Sequence, residues 1–279
     1  MYTCVLLCML IYIIYVSYGA DKHKRTMRIS GIILLLLPAA INALSLPKPL
    51  VGIIFDMDGT LTQPCIDFSD MRRRIYELAS EDAGVPVTQG DVVTMVETFS
   101  PLYQKKAEEV FNDIQAKALR DMKLMPGMLE LCNYLDDNNI RRAVLTRNVE
   151  SSVQHLQQHF MATMPLFDPQ VARDTLDENG QILLPKPYPD GIQYICRRWQ
   201  CSPSQTIMIG DSELDDIVAG YRAGCGATIH LATSHDNDSG NSDESLLDER
   251  RASVRIDSLA TVRGLLEVAL NGATSPLAR

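Results

Sequence analysis

The sequence predicts an α/β protein built on a doubly wound parallel sheet, with a small α-helical cap inserted after the first strand. Short, continuous apolar runs such as 50–55 and 206–209 are typical of strands that are buried on both faces. Amphipathic helical patterns separate these runs, and this alternation favours a parallel sheet. Polar side chains follow several of the runs directly, and ligands of such sheets bind beyond the carboxyl ends of the strands.

The first half of the predicted core starts at the run 50–55, which we interpret as the first strand. Residues 64–124 are rich in charge and have no convincing strand pattern, so we predict that they form the helical cap, with a helix starting at Ser100-Pro101. The elements predicted next are a helix over 127–138, a strand over 142–145, a helix capped by Asn148 with Val149, Val153, Leu156 and Phe160 on its apolar face, and a short strand near 166–167.

The second half starts at Pro189, which suits the first turn of a helix. After this helix we predict a strand over 206–209, a helix over 213–223 and a strand over 227–231. A C-terminal helix over about 258–270 completes a core made of residues 47–63 and 125–279. The helix after Pro189 is expected to bury Ile192, Ile195, Cys196 and Trp199.

Residues 1–46 are set apart from the core as a hydrophobic leader. Its two apolar runs, 4–18 and 31–44, are each shorter than the roughly 20 residues that span a bilayer comfortably. The second run follows basic residues and ends near Ala43, a pattern typical of a cleaved signal peptide, and Met27 is an alternative start. We expect targeting to the secretory route or to an organelle such as a plastid. Contact with a membrane is expected only if the leader stays uncleaved.

Composition narrows the classes of partner. The 279 residues carry a formal charge of −9, and because the leader contributes +3, the rest of the chain carries −12. An acidic body argues against nucleic acid as a partner, since phosphate backbones are held by clustered Lys and Arg. The cysteines outside the leader are scattered and form no CxxC pair, which indicates reduced thiols rather than a disulfide framework or a zinc site.

Three acids at predicted strand ends suit phosphoryl transfer. Asp56 and Asp58 follow the first strand, and Asp211 follows the strand over 206–209. A carboxylate such as Asp56 can accept a phosphoryl group and split a slow hydrolysis into two easier steps. The carboxylate and the substrate phosphate are both anions, so a cation such as Mg²⁺ would be needed between them. Mg²⁺ prefers carboxylate oxygens such as those of Asp56 and Asp211. Asp58 can protonate the leaving oxygen and later deprotonate the attacking water.

Three further residues suit binding of the phosphate itself. Thr146, at the end of the strand over 142–145, offers a hydroxyl to a phosphoryl oxygen. Lys186, on a proline-stiffened loop, offers a positive charge to the same group. Gly59 permits close approach of the backbone and leaves N–H groups for the phosphate.

Four motifs in order along residues 50–231 resemble those of the haloacid dehalogenase superfamily. The cap after the first motif is similar to that of the phosphoglycolate-phosphatase-like branch, and the resemblance implies a Rossmann-like core. The motifs are Phe55-Asp56-Met57-Asp58-Gly59-Thr60-Leu61-Thr62, Leu145-Thr146-Arg147-Asn148, Lys186-Pro187 and Gly210-Asp211-Ser212-Glu213-Leu214-Asp215-Asp216-Ile217.

The resemblance also implies roles for the residues of these motifs. It implies an aspartyl-phosphate at Asp56, and Mg²⁺ held by the side chains of Asp56 and Asp211 and the main-chain carbonyl of Asp58. A further acid four or five positions after the fourth-motif aspartate supports the metal in the family. Asp215 and Asp216 both qualify, and the spacing favours Asp216. Arg147 and Asn148, which follow Thr146 in the second motif, are implied as phosphate-binding residues.

These observations predict a Mg²⁺-dependent phosphatase that hydrolyses a small phosphorylated metabolite similar to phosphoglycolate. The aspartate at position 58 disfavours dehalogenation, because members that cleave carbon–halogen bonds lack it. Two alternatives stay open at this point. One is a phosphomutase of the same superfamily, and the other is a protein that binds phosphate without catalysis.

Overall fold

The computed structural model describes residues 46–82, 92–232 and 247–271. Of the predicted leader, residues 1–45 lie outside the described residues. Within the described part of the chain, no helix is both long enough and apolar enough to cross a membrane.

A six-stranded, fully parallel sheet forms the centre of the molecule. Its spatial order is β3-β2-β1-β4-β5-β6, the order of a doubly wound sheet, in which the chain first builds outward on one side of β1 and then crosses to the other. The predicted fold class is therefore confirmed. The strands are β1 (Gly52–Phe55), β2 (Arg141–Leu145), β3 (Gln170–Val171), β4 (Thr206–Gly210), β5 (Ala227–Leu231) and β6 (Val254–Ile256).

Helices cover both faces of the sheet because successive strand residues point to opposite sides. Ile53 and Phe55 of β1 pack on one side, and Ile54 packs on the other. The first side is covered by α4 (Met128–Asp137), α5 (Glu150–Phe160) and α9 (Leu259–Asn271), and the second by α6 (Asp190–Trp199) and α7 (Val218–Ala223). A short helix, α8 (Leu247–Arg250), precedes β6.

Between β1 and α4 the chain forms a helical insertion with its own apolar cluster. The insertion consists of α1 (Phe68–Glu81), α2 (Val92–Glu97) and α3 (Pro101–Asp121), and Ser100-Pro101 starts α3 as predicted. Thr62 and Leu124 pair where the chain leaves and re-enters the core, with the Met125 N–H donating to the Leu61 carbonyl at 2.9 Å. The two connections therefore run side by side next to the end of β1.

Several predicted elements differ from the structure. The third strand lies at Gln170–Val171, because Leu166 is exposed and Phe167 fills the core from a loop. The α5 helix is preceded by Val149 at its N-cap rather than Asn148. The predicted helix over 213–223 opens with a π-helical turn at Glu213–Ile217. Strand β6 was not predicted, because it is a three-residue edge strand whose central Arg255 is exposed.

Candidate active site

The ends of three neighbouring strands bring the predicted residues together. Strand β1 pairs with β2 on one side and β4 on the other, so Asp56, Thr146 and Asp211 leave the sheet at the same edge. The Asp56 N–H extends the ladder to the Ile209 carbonyl at 2.9 Å, and the Thr146 N–H donates to Val171 at 2.9 Å. The convergence predicted from the sequence is therefore present, at the crevice where the direction of winding reverses.

Three carboxylates form the centre of this site. One carboxylate oxygen from each of Asp56, Asp211 and Asp216 lies within 4.8 Å of the other two. Asp216 reaches the group because the π-helical turn folds it back towards the end of β4, where its Oδ2 accepts from the Ser212 N–H at 3.0 Å. Asp215 points away and pairs with Arg147. The geometry therefore favours Asp216 over Asp215 as the further acid.

Lys186 inserts its ammonium between two of these carboxylates. The side chain is almost fully buried, and its Nζ donates to Asp216 Oδ1 at 2.6 Å and to Asp56 Oδ1. Burial alone would lower the pKa of Lys186, but the charges of Asp216 and Asp56 raise it above its ordinary value. Lys186 therefore carries a fixed positive charge beside Asp56.

One ammonium does not balance three carboxylates, of which Asp56 and Asp216 are buried and Asp211 is half-buried. Burial, with the charge of Asp211, raises the pKa of Asp56 to about 6 against the opposing effect of Lys186. Burial and neighbouring carboxylates likewise raise the pKa of Asp211 and of Asp216 to about 7. A divalent cation would relieve this repulsion, and carboxylate oxygens alone are the donor set of a hard cation such as Mg²⁺. The residues present therefore fit the predicted metal.

Asp58 lies beside this group, and its side chain is held by Cys65. Its Oδ1 accepts from the Cys65 N–H at 3.3 Å and from the Cys65 thiol at 3.4 Å. Burial raises the pKa of Asp58, which favours the protonated acid that a leaving oxygen requires. Its metal contact was predicted through the main-chain carbonyl, and that role stays a prediction.

Gly59 provides space for the Asp211 carboxylate. Its N–H donates to the Thr62 carbonyl at 2.8 Å and is thus occupied within the loop. The residue has φ +85°, and a Cβ placed there would lie 2.1 Å from Asp211 Oδ2. Gly59 therefore lets the Asp211 carboxylate approach the loop after β1, and its part in phosphate binding stays a prediction.

The residues of the second motif, Thr146, Arg147 and Asn148, differ in their burial and in their hydrogen-bond partners. Thr146 is buried, and its Oγ1 accepts from the Asn148 N–H at 3.0 Å, which leaves the hydroxyl proton for another acceptor. Arg147 is exposed and donates to Asp215 at 2.9 Å, outside the carboxylate group. Phosphate binding by Arg147 and by Asn148 stays a prediction.

Two contacts were not anticipated from the sequence. Cys65 holds the Asp58 side chain, and His230 on β5 contacts the main chain of Asp211. Neither residue belongs to a recognisable motif, and Cys65 is seven positions from its partner while His230 is nineteen positions away. Only the folded chain brings them together.

Comparison with known proteins gives a consistent result. The family model for haloacid dehalogenase-like hydrolases matches residues 51–224. A haloacid dehalogenase-like hydrolase domain-containing protein of Arabidopsis thaliana is 34% identical over 77% of this chain and 83% of its own length. An uncharacterized hydrolase of Saccharomyces cerevisiae is 32% identical over 64% of this chain and 76% of its own length. A phosphoglycolate phosphatase of Haemophilus influenzae is 26% identical over 54% of this chain and 59% of its own length.

Solved structures share the fold. A structure described as a predicted phosphoglycolate phosphatase of Haemophilus somnus superposes with a TM-score of 0.56 at 20% identity, covering 78% of this chain and 98% of that one. A hydrolase of Deinococcus radiodurans, solved with bound phosphate and sodium, superposes with a TM-score of 0.53 at 17% identity, covering 79% of this chain and 96% of that one. At these identities the likeness concerns the fold alone.

The position of Gly59 generates a prediction about cation binding. Gly59→Ala places a methyl group against Asp211 Oδ2 and holds alanine at a positive φ, which costs about 1–2 kcal/mol. We expect Asp211 to be displaced and Mn²⁺, used as a spectroscopic substitute for Mg²⁺, to bind at least about tenfold more weakly. Titration followed by electron paramagnetic resonance measures this change.

Gly180→Ala is the matched control. Gly180 also has a positive φ, +78°, but open space surrounds the position of its Cβ. We expect the same backbone cost in the free energy of unfolding and unchanged Mn²⁺ affinity. Equal weakening in both variants would contradict the assigned role of Gly59.

Proposed function

This chain belongs to the haloacid dehalogenase-like hydrolase family, and we propose that it is a magnesium-dependent phosphatase acting on a small phosphorylated metabolite. The observation that carries the proposal is the close group of Asp56, Asp211 and Asp216, with Lys186 between two of its members. A nucleophilic carboxylate, two further acids that fit a cation and a fixed ammonium are the parts that transfer of a dianionic phosphoryl group requires.

The first step is attack by a carboxylate oxygen of Asp56 on phosphorus. A bond forms between this oxygen and phosphorus while the bond from phosphorus to the ester oxygen of the substrate breaks. Asp58 gives its proton to the departing oxygen, which leaves as an alcohol. Lys186 and the Thr146 hydroxyl stabilise the negative charge of the transferring group.

The second step regenerates the enzyme. Asp58, now ionised, takes a proton from a water molecule whose oxygen attacks phosphorus, and the bond to Asp56 breaks. Inorganic phosphate leaves, and Asp58 is again protonated. Asp58 suits both steps because its carboxyl is not one of the three grouped carboxylates and is held in place by Cys65.

Asp56, Asp211 and the main-chain carbonyl of Asp58 would hold the Mg²⁺, with Asp216 supporting it. When bound, the cation supplies positive charge that lowers the repulsion between the carboxylates and the phosphate. Lys186 stays beside Asp56 through its contact with Asp216, so the ammonium and the nucleophile are held in one place before substrate arrives.

Two observations support a small substrate. The helical insertion is anchored beside the end of β1, next to Asp56 and Asp58, where it can cover a compact molecule. Relatives named phosphoglycolate phosphatase make phosphoglycolate the first substrate to test.

Replacing the nucleophile should stop the reaction. We expect Asp56→Asn to lower Mg²⁺-dependent phosphate release by at least about a thousandfold, because an amide cannot form the phosphoenzyme. The fold should persist, since Lys186 keeps its contact with Asp216. Phosphate release from a panel of phosphorylated metabolites measures the loss.

Asp215→Asn is the control for this change, because Asp215 lies next in sequence to the carboxylate group but pairs with Arg147 at the surface. We expect it to retain activity. Surviving activity in Asp56→Asn would refute the assigned nucleophile, whereas dependence on an added sugar bisphosphate would indicate a phosphomutase.

Removing Asp58, the proposed acid, should slow the first step only for substrates whose leaving group needs a proton, and should slow the second step for all substrates. Asp58→Ala is expected to slow release of an alkyl alcohol by about 10²–10⁴-fold, because such a leaving group needs a proton. p-Nitrophenol leaves as a stable anion, so p-nitrophenyl phosphate should give a rapid burst of about one equivalent followed by slow turnover. Stopped-flow absorbance distinguishes these phases. Equal slowing of both substrates without a burst would contradict the acid–base assignment.

A further inference from the structure

A buried imidazole lies behind the loop that carries Asp211. His230 stands on β5 between apolar neighbours, in the segment Ala-Thr-Ile-His-Leu, and is 1% exposed. Burial of a polar ring in a sheet is unfavourable unless the ring forms hydrogen bonds. Its contacts therefore indicate what the position contributes.

The first contact is to the main chain of Asp211. His230 Nε2 lies 2.9 Å from the Asp211 carbonyl oxygen. A carbonyl oxygen only accepts hydrogen bonds, so Nε2 carries the proton and donates. Strand β5 is thus joined to the residue that follows β4, at the point where that residue turns towards the site.

The second contact is to the start of the π-helical turn. His230 Nδ1 lies 3.3 Å from Glu213 Oε1, and Arg255 on β6 donates to the same oxygen at 3.2 Å. The loop is therefore attached to the sheet by His230 at Asp211 and by Arg255 at Glu213. The next acid along this turn is Asp216, which belongs to the carboxylate group.

This attachment opposes a specific force. Asp211 lies within 4.8 Å of two other carboxylates and close against the loop at Gly59, and like charges at that distance repel. Without the hydrogen bond from His230, the main chain of Asp211 could move outward and relieve this repulsion, because the other hydrogen bonds of the loop hold residues 212–216 rather than Asp211. The hydrogen bond from His230 fixes the main chain of Asp211 and so keeps its carboxylate in the group.

We propose that His230 is a positioning residue for Asp211 and that it sets the affinity of the site for its cation. The inference rests on the proposed function only in taking Asp211 as a cation ligand. His230 acts through a hydrogen bond to the main chain and touches neither substrate nor cation. Hydrogen-bond partners behind a metal ligand change metal affinity by about 10–100-fold when they are removed.

The test compares two amides of different reach in the full-length chain. In His230→Asn the side chain is too short to reach the Asp211 carbonyl, whereas in His230→Gln the amide N–H can occupy the place of Nε2. We expect Mn²⁺ to bind His230→Asn about tenfold more weakly than the unchanged chain. His230→Gln should restore most of the affinity. His230→Leu is a second deletion of the donor, to be used if the asparagine variant does not fold.

Thr228→Val is the matched control on the same strand. Thr228 is also buried and lies two residues before His230 on the same face of β5, but its hydroxyl accepts from the Ser253 N–H at 3.1 Å. We expect a lower thermal midpoint but unchanged Mn²⁺ affinity. This separates loss of stability from loss of positioning.

Electron paramagnetic resonance titration with Mn²⁺ gives the affinities without relying on turnover. Unchanged affinity in the folded deletion variants, or equal weakening in Thr228→Val, would overturn the role of His230 and leave the proposed function standing. Failure of glutamine to restore affinity would overturn the role of the donated hydrogen bond. Failure of the unchanged chain to bind Mn²⁺ would overturn the proposed function and this inference with it.

Discussion

The contact of the Lys186 ammonium with Asp56 and Asp216 is the interaction on which the site depends. It joins three segments that are far apart in the chain, the end of β1, the loop before α6 and the turn after β4. Breaking a buried ion pair by removing one partner typically costs about 3–5 kcal/mol, because a charge is left without compensation. Lys186 therefore holds the site together, and the proposed function places the phosphoryl group beside its ammonium.

The surrounding backbone allows the acids to approach each other. A Cβ at Gly59 would collide with the Asp211 carboxylate, and a Cβ at Gly210 would lie 2.1 Å from the Asp216 carboxylate. The π-helical turn directs Asp216 inward and leaves Asp215 at the surface. Two glycines and one widened turn thus concentrate negative charge that a regular helix and ordinary residues would keep apart.

Much of this arrangement could be predicted because a parallel sheet imposes it. Once apolar runs are assigned to parallel strands, Asp56, Thr146 and Asp211 must reach one edge, whatever their separation in sequence. The contacts of Cys65 and His230 could not be predicted, since both depend on how loops pack after the sheet forms. The strand predicted near 166–167 was misplaced for a related reason. Phe167 packs into the core from a loop, whereas the strand itself lies at Gln170–Val171.

The two chemical roles of the site are attached to different parts of the molecule. Asp56 and Asp211 are fixed by the sheet, through hydrogen bonds to Ile209 and from His230. The Asp58 side chain is held instead by Cys65, on the connection that leads into the helical insertion. A movement of that insertion would therefore act first on the Asp58 side chain, the proposed proton donor, while Asp56 and Asp211 stay attached to the sheet. Under the proposed function, this separation would let a substrate be admitted without disturbing the group of Asp56, Asp211, Asp216 and Lys186.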